Sequence, residues 1–435
     1  MSGATDTGTT GLLISGADLA GAGRTDLFVR HGVFVDPAEA GAGVERIDAD
    51  GLVALPGLVD LHTHLREPGR EDAETVATGT RAAARGGFTA VLAMANTSPV
   101  TDTAEAAEHL WALGRRDGAA EVIPVGAVSK ELAGAELAEL GLMARSSAGV
   151  RVFSDDGHCV ADGRLMRRAL EYVRAFDGVI AQHAQDPRLA GADACCHEGD
   201  LSGRLGLPGW PPAAEATVVA RDAELAALTG SRVHVCHVSS AETVEVLRWA
   251  QGRGIDITAE VTPHHLMLTT DELTSYDPTF KVNPPLRPNE HVAALREALA
   301  DGTIAAVGTD HAPHARHDKE HAFVDASPGM LGLETALAVV IETMVTPGRL
   351  DWAGVAERMS YAPARIARLA RQGRPLAVGE PANLVLVDPS ARAIVDGAAS
   401  ASLSRNNPWH GRELPDPVVL TVWTGRVTHR RGTES

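Results

Sequence analysis

The sequence predicts an α/β protein built on a parallel β-sheet. After Pro56, short apolar runs rich in β-branched residues alternate with Ala- and Leu-rich stretches that have the period of helices. This alternation is typical of parallel sheets, and strands that are apolar at nearly every position indicate a sheet covered on both faces. Eight strands also close a (β/α)8 TIM barrel. The predicted strands cover residues 57–64, 89–96, 121–128, 149–156, 178–184, 232–239, 256–265 and 304–314.

The two ends of the chain have a different pattern. Short strands separated by turns that contain Gly and Asp fill the first part of the chain, and similar strands return near its end. We therefore predict that both ends build one small β-sandwich domain beside the barrel. The predicted organisation is a disordered tail at 1–10, the N-terminal part of the β-sandwich at 11–56, the barrel at 57–370 and the C-terminal part of the β-sandwich at 371–435.

The composition is that of a globular chain, and it argues against several classes of function. The 435 residues include 57 acidic and 39 basic side chains, for a formal net charge of −18, without a basic cluster of the kind that binds nucleic acid. No apolar run reaches the length of a membrane span, so no membrane association is expected. Four cysteines without a CxxC pair favour a reducing cytoplasm. An anionic substrate would need a local cationic anchor.

Polar side chains follow the predicted strands at the points where the strands end. The carboxyl ends of parallel strands meet at one face of a barrel, which is where active sites are built. His62 and His64 are two positions apart on a strand, so their side chains point to the same side. The residues at these strand ends are His62, His64, Asn96, Asp155, Asp156, His183, His237 and Asp310.

This set of side chains predicts a metal site with hydrolytic chemistry. Neutral imidazoles suit a borderline cation such as zinc, and an Asp carboxylate can bridge two cations. Spacing alone leaves Asp155 and Asp156 as alternatives, because the stretch "FSDDGH" also has the composition of a turn. Asp310 lies near the end of the last predicted strand, where a general base could reach a metal-activated water.

Several motifs resemble those of the cyclic amidohydrolases, and in particular those of bacterial type I dihydroorotases. The motifs are "GLVDLHTHLREPG", "MANTSPVTD", "FSDDG", "HVCHVSSAETVEVLR", "AEVTPHHLMLT", "KVNPPLR" and "GTDHAPH". The resemblance extends from about residue 50 to 410 and implies a TIM barrel with a flanking β-sandwich. It also implies reversible cyclisation of N-carbamoyl-L-aspartate to L-dihydroorotate in pyrimidine biosynthesis. In that reaction a hydroxide that bridges two metals is the nucleophile or leaving group, and Asp310 is the general acid and base.

The resemblance assigns residues as follows. Two zinc ions per subunit are expected. One is held by His62, His64 and Asp310, the other by His183 and His237, and Asp156 bridges them. The matching substrate-binding positions are His64, Arg66, Asn96, Asn283, His314, Pro328 and Gly329. Arg66 would bind the substrate carboxylate with its planar guanidinium. This sequence departs from the family pattern at two places. It has "MANT" where the family often has "MPNT", and "AQHAQD" where many members have "AHCED" or "AHAED". Neither departure changes a proposed ligand.

Two other functions stay open. The first is another cyclic amidohydrolase: a hydantoinase, a dihydropyrimidinase or an allantoinase. These enzymes usually bridge their metals with a carboxylated lysine at the end of the fourth strand. Here Lys130 is the only lysine between His64 and His183 in the sequence. The second is a non-catalytic partner of aspartate carbamoyltransferase, which would lack metal ligands. A complex with that enzyme and a homodimer are also compatible with catalysis.

Overall fold

The computed structural model describes residues 11–432 and has α/β architecture. The predicted tail at 1–10 lies outside the described residues. Eight strands in the middle of the chain pair only in parallel, each separated from the next by helical segments. They are β6 (Leu58–Thr63), β7 (Phe88–Ala93), β8 (Glu121–Pro124), β9 (Val152–Phe153), β10 (Val179–Gln182), β13 (Arg232–Val235), β14 (Ile257–Val261) and β15 (Ala306–Val307).

The pairings connect these strands in chain order and return from the last to the first. One sheet has the order β6-β7-β8, and the other has the order β9-β10-β13-β14-β15. A parallel bridge between Gly126 and Phe153 joins β8 to β9. A second parallel bridge, between Thr63 and His311, joins the end of β6 to the segment after β15. The carboxyl ends of the strands therefore surround one common opening.

Both faces of these strands are buried, as the apolar pattern predicts. In β7, Ala90 and Leu92 belong to one buried cluster, whereas Val91 and Ala93 belong to another. The second cluster also contains apolar residues of the surrounding helices, such as Leu110 of residues 104–117. Alternate residues thus pack inside the ring of strands and against the helices outside it.

Strands from both ends of the chain share a separate sheet. Leu55, near the N-terminal end, pairs in antiparallel orientation with Val385, near the C-terminal end. The domain boundaries stay a prediction. The strands of this sheet are β1 (Leu12–Leu19), β2 (Arg24–Arg30), β3 (Val33–Val35), β4 (Glu45–Asp48), β5 (Val53–Pro56), β16 (Leu384–Val387), β19 (Val418–Trp423) and β20 (Arg426–Arg430).

Two strands of the C-terminal region do not join this sheet. Strands β17 (Arg392–Ile394) and β18 (Glu413–Pro415) pair only with each other. The segment between them packs on the ring of strands: Asn406 Nδ2 donates a hydrogen bond to the Ala312 carbonyl at 2.9 Å. Residues 392–415 therefore cover the region that follows β15. One further short pair consists of β11 (Cys196–His197) and β12 (Gly209–Trp210).

Several predicted strands are shorter in the structure. The predicted strand 256–265 ends at Val261, because Pro263 starts a helix that Thr262 caps through its side chain. The predicted strand 304–314 is reduced to Ala306–Val307. The α-helices are α1 (Val76–Arg85), α2 (Ala104–Asp117), α3 (Leu140–Arg145), α4 (Gly163–Val173), α5 (Pro187–Ala190), α6 (Asp200–Leu205), α7 (Ala213–Thr229), α8 (Ala241–Gly252), α9 (Pro263–Met267), α10 (Asn289–Asp301), α11 (Arg316–Lys319), α12 (Ala336–Val340), α13 (Trp352–Ala356) and α14 (Ala362–Ile366).

Candidate active site

Four histidines and two aspartates from five different strand ends meet at the opening of the ring. Each of the six residues is at most 6% exposed, so water has little access to their side chains. His62 lies in a β-bulge, and His64 follows directly after it. Between Asp60 and Thr63, β6 has one residue more than the segment of β7 with which it pairs, and such a bulge changes the direction of nearby side chains. The six residues are His62, His64, Asp156, His183, His237 and Asp310.

The carboxylate of Asp156 lies at the centre of this cluster. Its Oδ1 atom is 3.3 Å from Nε2 of His62 and 3.3 Å from Nδ1 of His183. The same oxygen is 3.3 Å from Nε2 of His237, and the other oxygen, Oδ2, is 3.3 Å from Nε2 of His64. Burial alone would raise the pKa of Asp156, but the surrounding histidines hold it well below its ordinary value. One carboxylate thus faces all four imidazoles.

The neighbouring Asp155 has a different environment. Its Oδ1 accepts hydrogen bonds from the backbone N–H groups of Val128 and Ser129 at 2.8 and 2.9 Å, and its Oδ2 accepts one from the Ser129 hydroxyl. Asp155 therefore ties the loop after β8 to the end of β9. Spacing left Asp155 and Asp156 as alternatives. In the structure, Asp156 lies among the histidines and Asp155 does not.

Asp310 approaches the cluster from the segment after β15. Its Oδ1 is 3.2 Å from Nε2 of His64 and 3.6 Å from Nε2 of His62. The histidines outweigh the effect of burial and hold the pKa of Asp310 below its ordinary value. Asp310, His237 and Arg66 have positive φ angles of 45°, 33° and 61°. Such angles are uncommon for residues other than glycine and concentrate at functional sites.

Hydrogen bonds on the outer side of the histidines orient their rings. His62 Nδ1–H donates to Glu260 at 2.8 Å, and His64 Nδ1–H donates to Asn96 at 2.9 Å. His183 Nε2–H donates to Gln185 at 2.9 Å. These bonds leave the inner nitrogens free to act as metal ligands, which is the usual arrangement around a metal-binding histidine.

Glu260 is a residue that sequence reasoning missed. It is fully buried in β14, where it also lies 3.3 Å from Nε2 of His234. Burial raises the pKa of Glu260, but hydrogen bonds from His234 and His62 outweigh burial and leave the pKa at about 2. The available signal was an isolated acid inside the apolar run "ITAEV".

A cationic side chain, that of Arg66, lies beside the cluster and could bind an anionic substrate. Arg66 donates through Nε to the Pro313 carbonyl at 3.0 Å, and its Nη2 lies 3.4 Å from Nε2 of His314. Burial lowers the pKa of Arg66 to about 10, so the guanidinium keeps its charge at neutral pH. Burial, Arg66 and Lys319 lower the pKa of His314 to about 2, so this imidazole is neutral.

The segment 314–329 folds back over this side of the site. His314 Nε2–H donates to the Pro328 carbonyl at 2.8 Å, and Lys319 Nζ donates to the Gly329 carbonyl at 3.1 Å. Gly329 has a φ of 138°, and a Cβ at this position would lie 2.7 Å from Ala312 Cβ. Position 329 therefore requires glycine. Asn283, on the opposite side, donates to Gln185 at 2.9 Å, while its buried Oδ1 has no hydrogen-bond partner.

Lys130 does not approach the cluster. Its ammonium group is exposed and donates to Glu136 at 2.6 Å. The carboxylate of Asp156, and not a lysine, lies among the four histidines. This arrangement removes the structural basis for a carboxylated lysine in this chain.

The donor set is compatible with a metal ion. Two groups of side chains have ligand atoms within 4.8 Å of one another, namely His62, His64 and Asp156, and Asp156, His183 and His237. Asp156 is common to both groups. In addition, the buried Nε2 of His62 has no hydrogen-bond partner, as expected for an atom that faces a cation. Imidazole and carboxylate donors in this number suit a divalent transition metal. A third group comprises His62, Cys236 and Glu260, so Cys236 is not packed against apolar residues alone.

Comparison with known proteins agrees with this geometry. The family described as dihydro-orotase-like matches residues 51–243. The chain is 59% identical over 419 residues to the dihydroorotase of Streptomyces coelicolor, covering 96% of this chain and 97% of that one. It is 58% identical over 386 residues to the dihydroorotase of Mycobacterium tuberculosis, covering 89% and 90%.

The overall structure is similar to those of related hydrolases. The L-hydantoinase of Arthrobacter aurescens superposes with a TM-score of 0.86 at 26% identity, covering 97% of this chain and 96% of that chain. The dihydropyrimidinase of Brevibacillus agri superposes with a TM-score of 0.84 at 22% identity, covering 97% and 95%. Fold and site together define an enzyme of the cyclic amidohydrolase class. Within that class, the chain belongs to the dihydroorotase family. No helix in residues 11–432 is long and apolar enough to cross a membrane.

Proposed function

We propose that this enzyme catalyses the reversible cyclisation of N-carbamoyl-L-aspartate to L-dihydroorotate in pyrimidine biosynthesis, with two zinc ions per subunit, in the cytoplasm. The observation that carries the proposal is the shared carboxylate of Asp156, which faces both histidine pairs. We further propose that the eight parallel strands form the (β/α)8 barrel of this class, with a flanking β-sandwich built from both chain ends. The TM-score of 0.86 with L-hydantoinase supports this architecture.

The proposed ligands divide into two sets around Asp156. His62, His64 and Asp310 would hold one zinc, and His183 and His237 would hold the other. When bound, zinc supplies a Lewis acid that polarises the amide carbonyl and activates water. This division is supported by the two groups of neighbouring ligand atoms described above, one with His62, His64 and Asp156 and one with Asp156, His183 and His237.

Asp310 is the proposed proton carrier. In ring opening, a carboxylate oxygen of Asp310 accepts a proton from the attacking water and delivers it to the ring nitrogen that leaves the carbonyl carbon. In ring closure, the same oxygen accepts a proton from the ureido nitrogen as that nitrogen bonds to the side-chain carboxyl carbon. Asp310 then passes the proton to a carboxyl oxygen, which leaves as hydroxide when its bond to the carbon breaks. Asp310 is ionised at neutral pH, because its pKa lies below its ordinary value, and only the ionised carboxylate can take up the proton.

The substrate contacts surround this proton carrier. The N–H groups of Arg66 that the Pro313 carbonyl does not use would bind the substrate carboxylate, together with Asn96, and the neutral His314 would lie near the substrate ring. The unpartnered Oδ1 of Asn283 would accept a hydrogen bond from the substrate, because a buried acceptor without a partner is costly. Backbone groups of Pro328 and Gly329, and His64 at the edge of the cluster, would complete the pocket.

Rate measurements with dihydroorotate, N-carbamoyl-L-aspartate, hydantoin and allantoin test the proposed function. We expect turnover of the first two compounds in opposite directions, with rates for hydantoin and allantoin at least 100-fold lower, about the discrimination that a few lost polar contacts give. Preferential hydrolysis of hydantoin or allantoin would contradict the proposal and favour another cyclic amidohydrolase. Absence of any turnover by the zinc-loaded protein would favour the non-catalytic partner of aspartate carbamoyltransferase. Sedimentation of the protein with and without aspartate carbamoyltransferase tests for the complex and the homodimer, both of which are compatible with catalysis.

A further inference from the structure

The turn after β13, which carries His237, is held by one buried carboxylate. Glu215, in the first turn of α7, is 2% exposed. The N–H group of Ser239 donates to its Oε1 at 3.1 Å and to its Oε2 at 3.2 Å, and the N–H group of Ser240 donates to Oε1 at 3.2 Å. The hydroxyl groups of both serines donate to the same carboxylate. Two consecutive residues thus direct four donors at Glu215.

A buried arginine completes this contact from the other side. Arg287 is 1% exposed, and its Nε donates to Oγ of Ser239 at 3.1 Å. Its Nη1 donates to the Trp210 carbonyl at 2.7 Å, and the guanidinium lies 4.4 Å from the centre of the Trp210 ring. Ser239 therefore links the carboxylate of Glu215 to a cation that is fixed in place.

The same turn of α7 also contacts the loop that follows His183. The backbone N–H of Asp186 donates to the carbonyl of Ala214 at 2.8 Å. Ala214 is adjacent to Glu215, so neighbouring residues of α7 bind the loops of both histidines. In the structure, Nδ1 of His183 and Nε2 of His237 are 2.9 Å apart.

We propose that Glu215, supported by Arg287, is a positioning residue that holds His237 against His183. Because His237 has a positive φ of 33°, its turn needs contacts outside its own strand to keep this conformation. Glu215 touches neither the proposed ligand atoms nor the substrate pocket, and it acts through Ser239 and Ser240. The inference rests on the proposed function in one respect: the cation that His183 and His237 would bind is the second zinc proposed above.

Zinc affinity at each of the two positions tests the proposal. The variants are Glu215→Gln, which places an amide against the serine N–H groups, and the milder Ser239→Ala. Ser231→Ala is the matched control, because it removes a buried hydrogen bond, to the Leu170 carbonyl, just before the other end of the same strand. Titration with zinc, followed by metal analysis, should show that one of the two dissociation constants rises by at least about 10-fold in both variants, as for lost outer contacts of a metal ligand. The other constant, and both constants of the control, should not change.

Unchanged zinc affinities in Ser239→Ala and Glu215→Gln, with only a lower thermal midpoint, would overturn the positioning role. If Glu215→Gln does not fold, Ser239→Ala and Arg287→Lys carry the test. A crystal structure of metal-free Ser239→Ala separates this inference from the proposed function. We expect the His183–His237 distance to exceed the 2.9 Å seen here, and an unchanged distance overturns the inference. Failure of the wild type to bind two zinc ions would instead contradict the proposed function.

Discussion

The Oδ1 atom of Asp156 lies 3.3 Å from Nε2 of His237, although the two residues are 81 positions apart in the chain. The same oxygen is equally close to His62 and His183. The strands that carry these residues contribute to different parts of the ring, so only the complete fold brings them together. Asp156 is thus the residue that connects the two halves of the site, namely the pair His62 and His64 and the pair His183 and His237.

Replacement of Asp156 by asparagine should remove the connection between the two halves. Because an amide cannot provide two anionic oxygens, we expect Asp156→Asn to retain less than one zinc per chain and to lose activity by at least about 100-fold. Metal analysis of the purified variant measures this directly. Asp155→Asn is the control: Asp155 bonds to backbone groups of Val128 and Ser129, so its replacement should lower the thermal midpoint without loss of zinc. Equal loss of zinc in both variants would contradict the central position of Asp156.

Replacement of Asp310 separates metal binding from proton transfer. Asp310→Asn keeps an oxygen near His64 but cannot accept the proton of the attacking water. We expect the variant to retain zinc while kcat falls by about 100- to 10,000-fold, the usual contribution of a general acid and base. Rates in both directions and metal content are measured on the same preparation. Turnover close to that of the wild type would refute the role of Asp310.

Replacement of Arg66 should act mainly on substrate binding. The planar Arg66 guanidinium can bind a carboxylate through two N–H groups, so Arg66→Ala should raise KM by at least about 10-fold, with a smaller effect on kcat. Arg66→Lys keeps the charge but not the planar fork, and should recover only part of the affinity. An unchanged KM in Arg66→Ala would argue against this anchor.

The pH dependence of stability should report the burial of Lys319. Burial, with a contribution from Lys281, lowers the pKa of Lys319 from 10.5 to about 7. Between these pH values the unfolded chain binds a proton that the folded chain does not, so the free energy of unfolding rises with pH across this window. Lys319→Met removes the effect, so the wild type should gain stability relative to the variant between about pH 7 and about pH 10.

Urea unfolding of both proteins at several pH values measures this difference. Lys130→Met is the control, because Lys130 is exposed and its replacement removes a charge without uncovering a buried group. A constant difference between the wild type and Lys319→Met, or a decrease with rising pH, would contradict the burial of a neutral Lys319.

The sequence predicts which side chains meet in the cluster, because each one follows an apolar run that is itself recognisable. Their role as metal ligands stays a prediction. His62 and His64 stand out by spacing, and His183, His237 and Asp310 each follow a later strand. Asp156 could be separated from Asp155 only by the resemblance to a family, since the difference lies in the backbone groups that Asp155 binds. The sequence around "FSDDG" does not show that Asp155 would bind the backbone of Val128 and Ser129, which lie 27 and 26 positions earlier in the chain.

Other features depend on tertiary contacts and were missed for that reason. Glu260 is an isolated acid in an apolar strand, and only the positions of His62 and His234 explain its presence. The short strands of residues 392–415 resemble those of the terminal sheet, yet this segment covers the region after β15, where Asn406 binds the Ala312 carbonyl. The length of β14 was overestimated because Pro263 can continue an extended chain or start a helix.

Anomalous diffraction at the zinc edge from crystals of the zinc-loaded protein tests the central claim most directly. The account predicts two peaks at full occupancy, one among His62, His64 and Asp310 and one beside His183 and His237, with Asp156 within coordination distance of both. A single peak, or a peak that Asp156 does not reach, would contradict it.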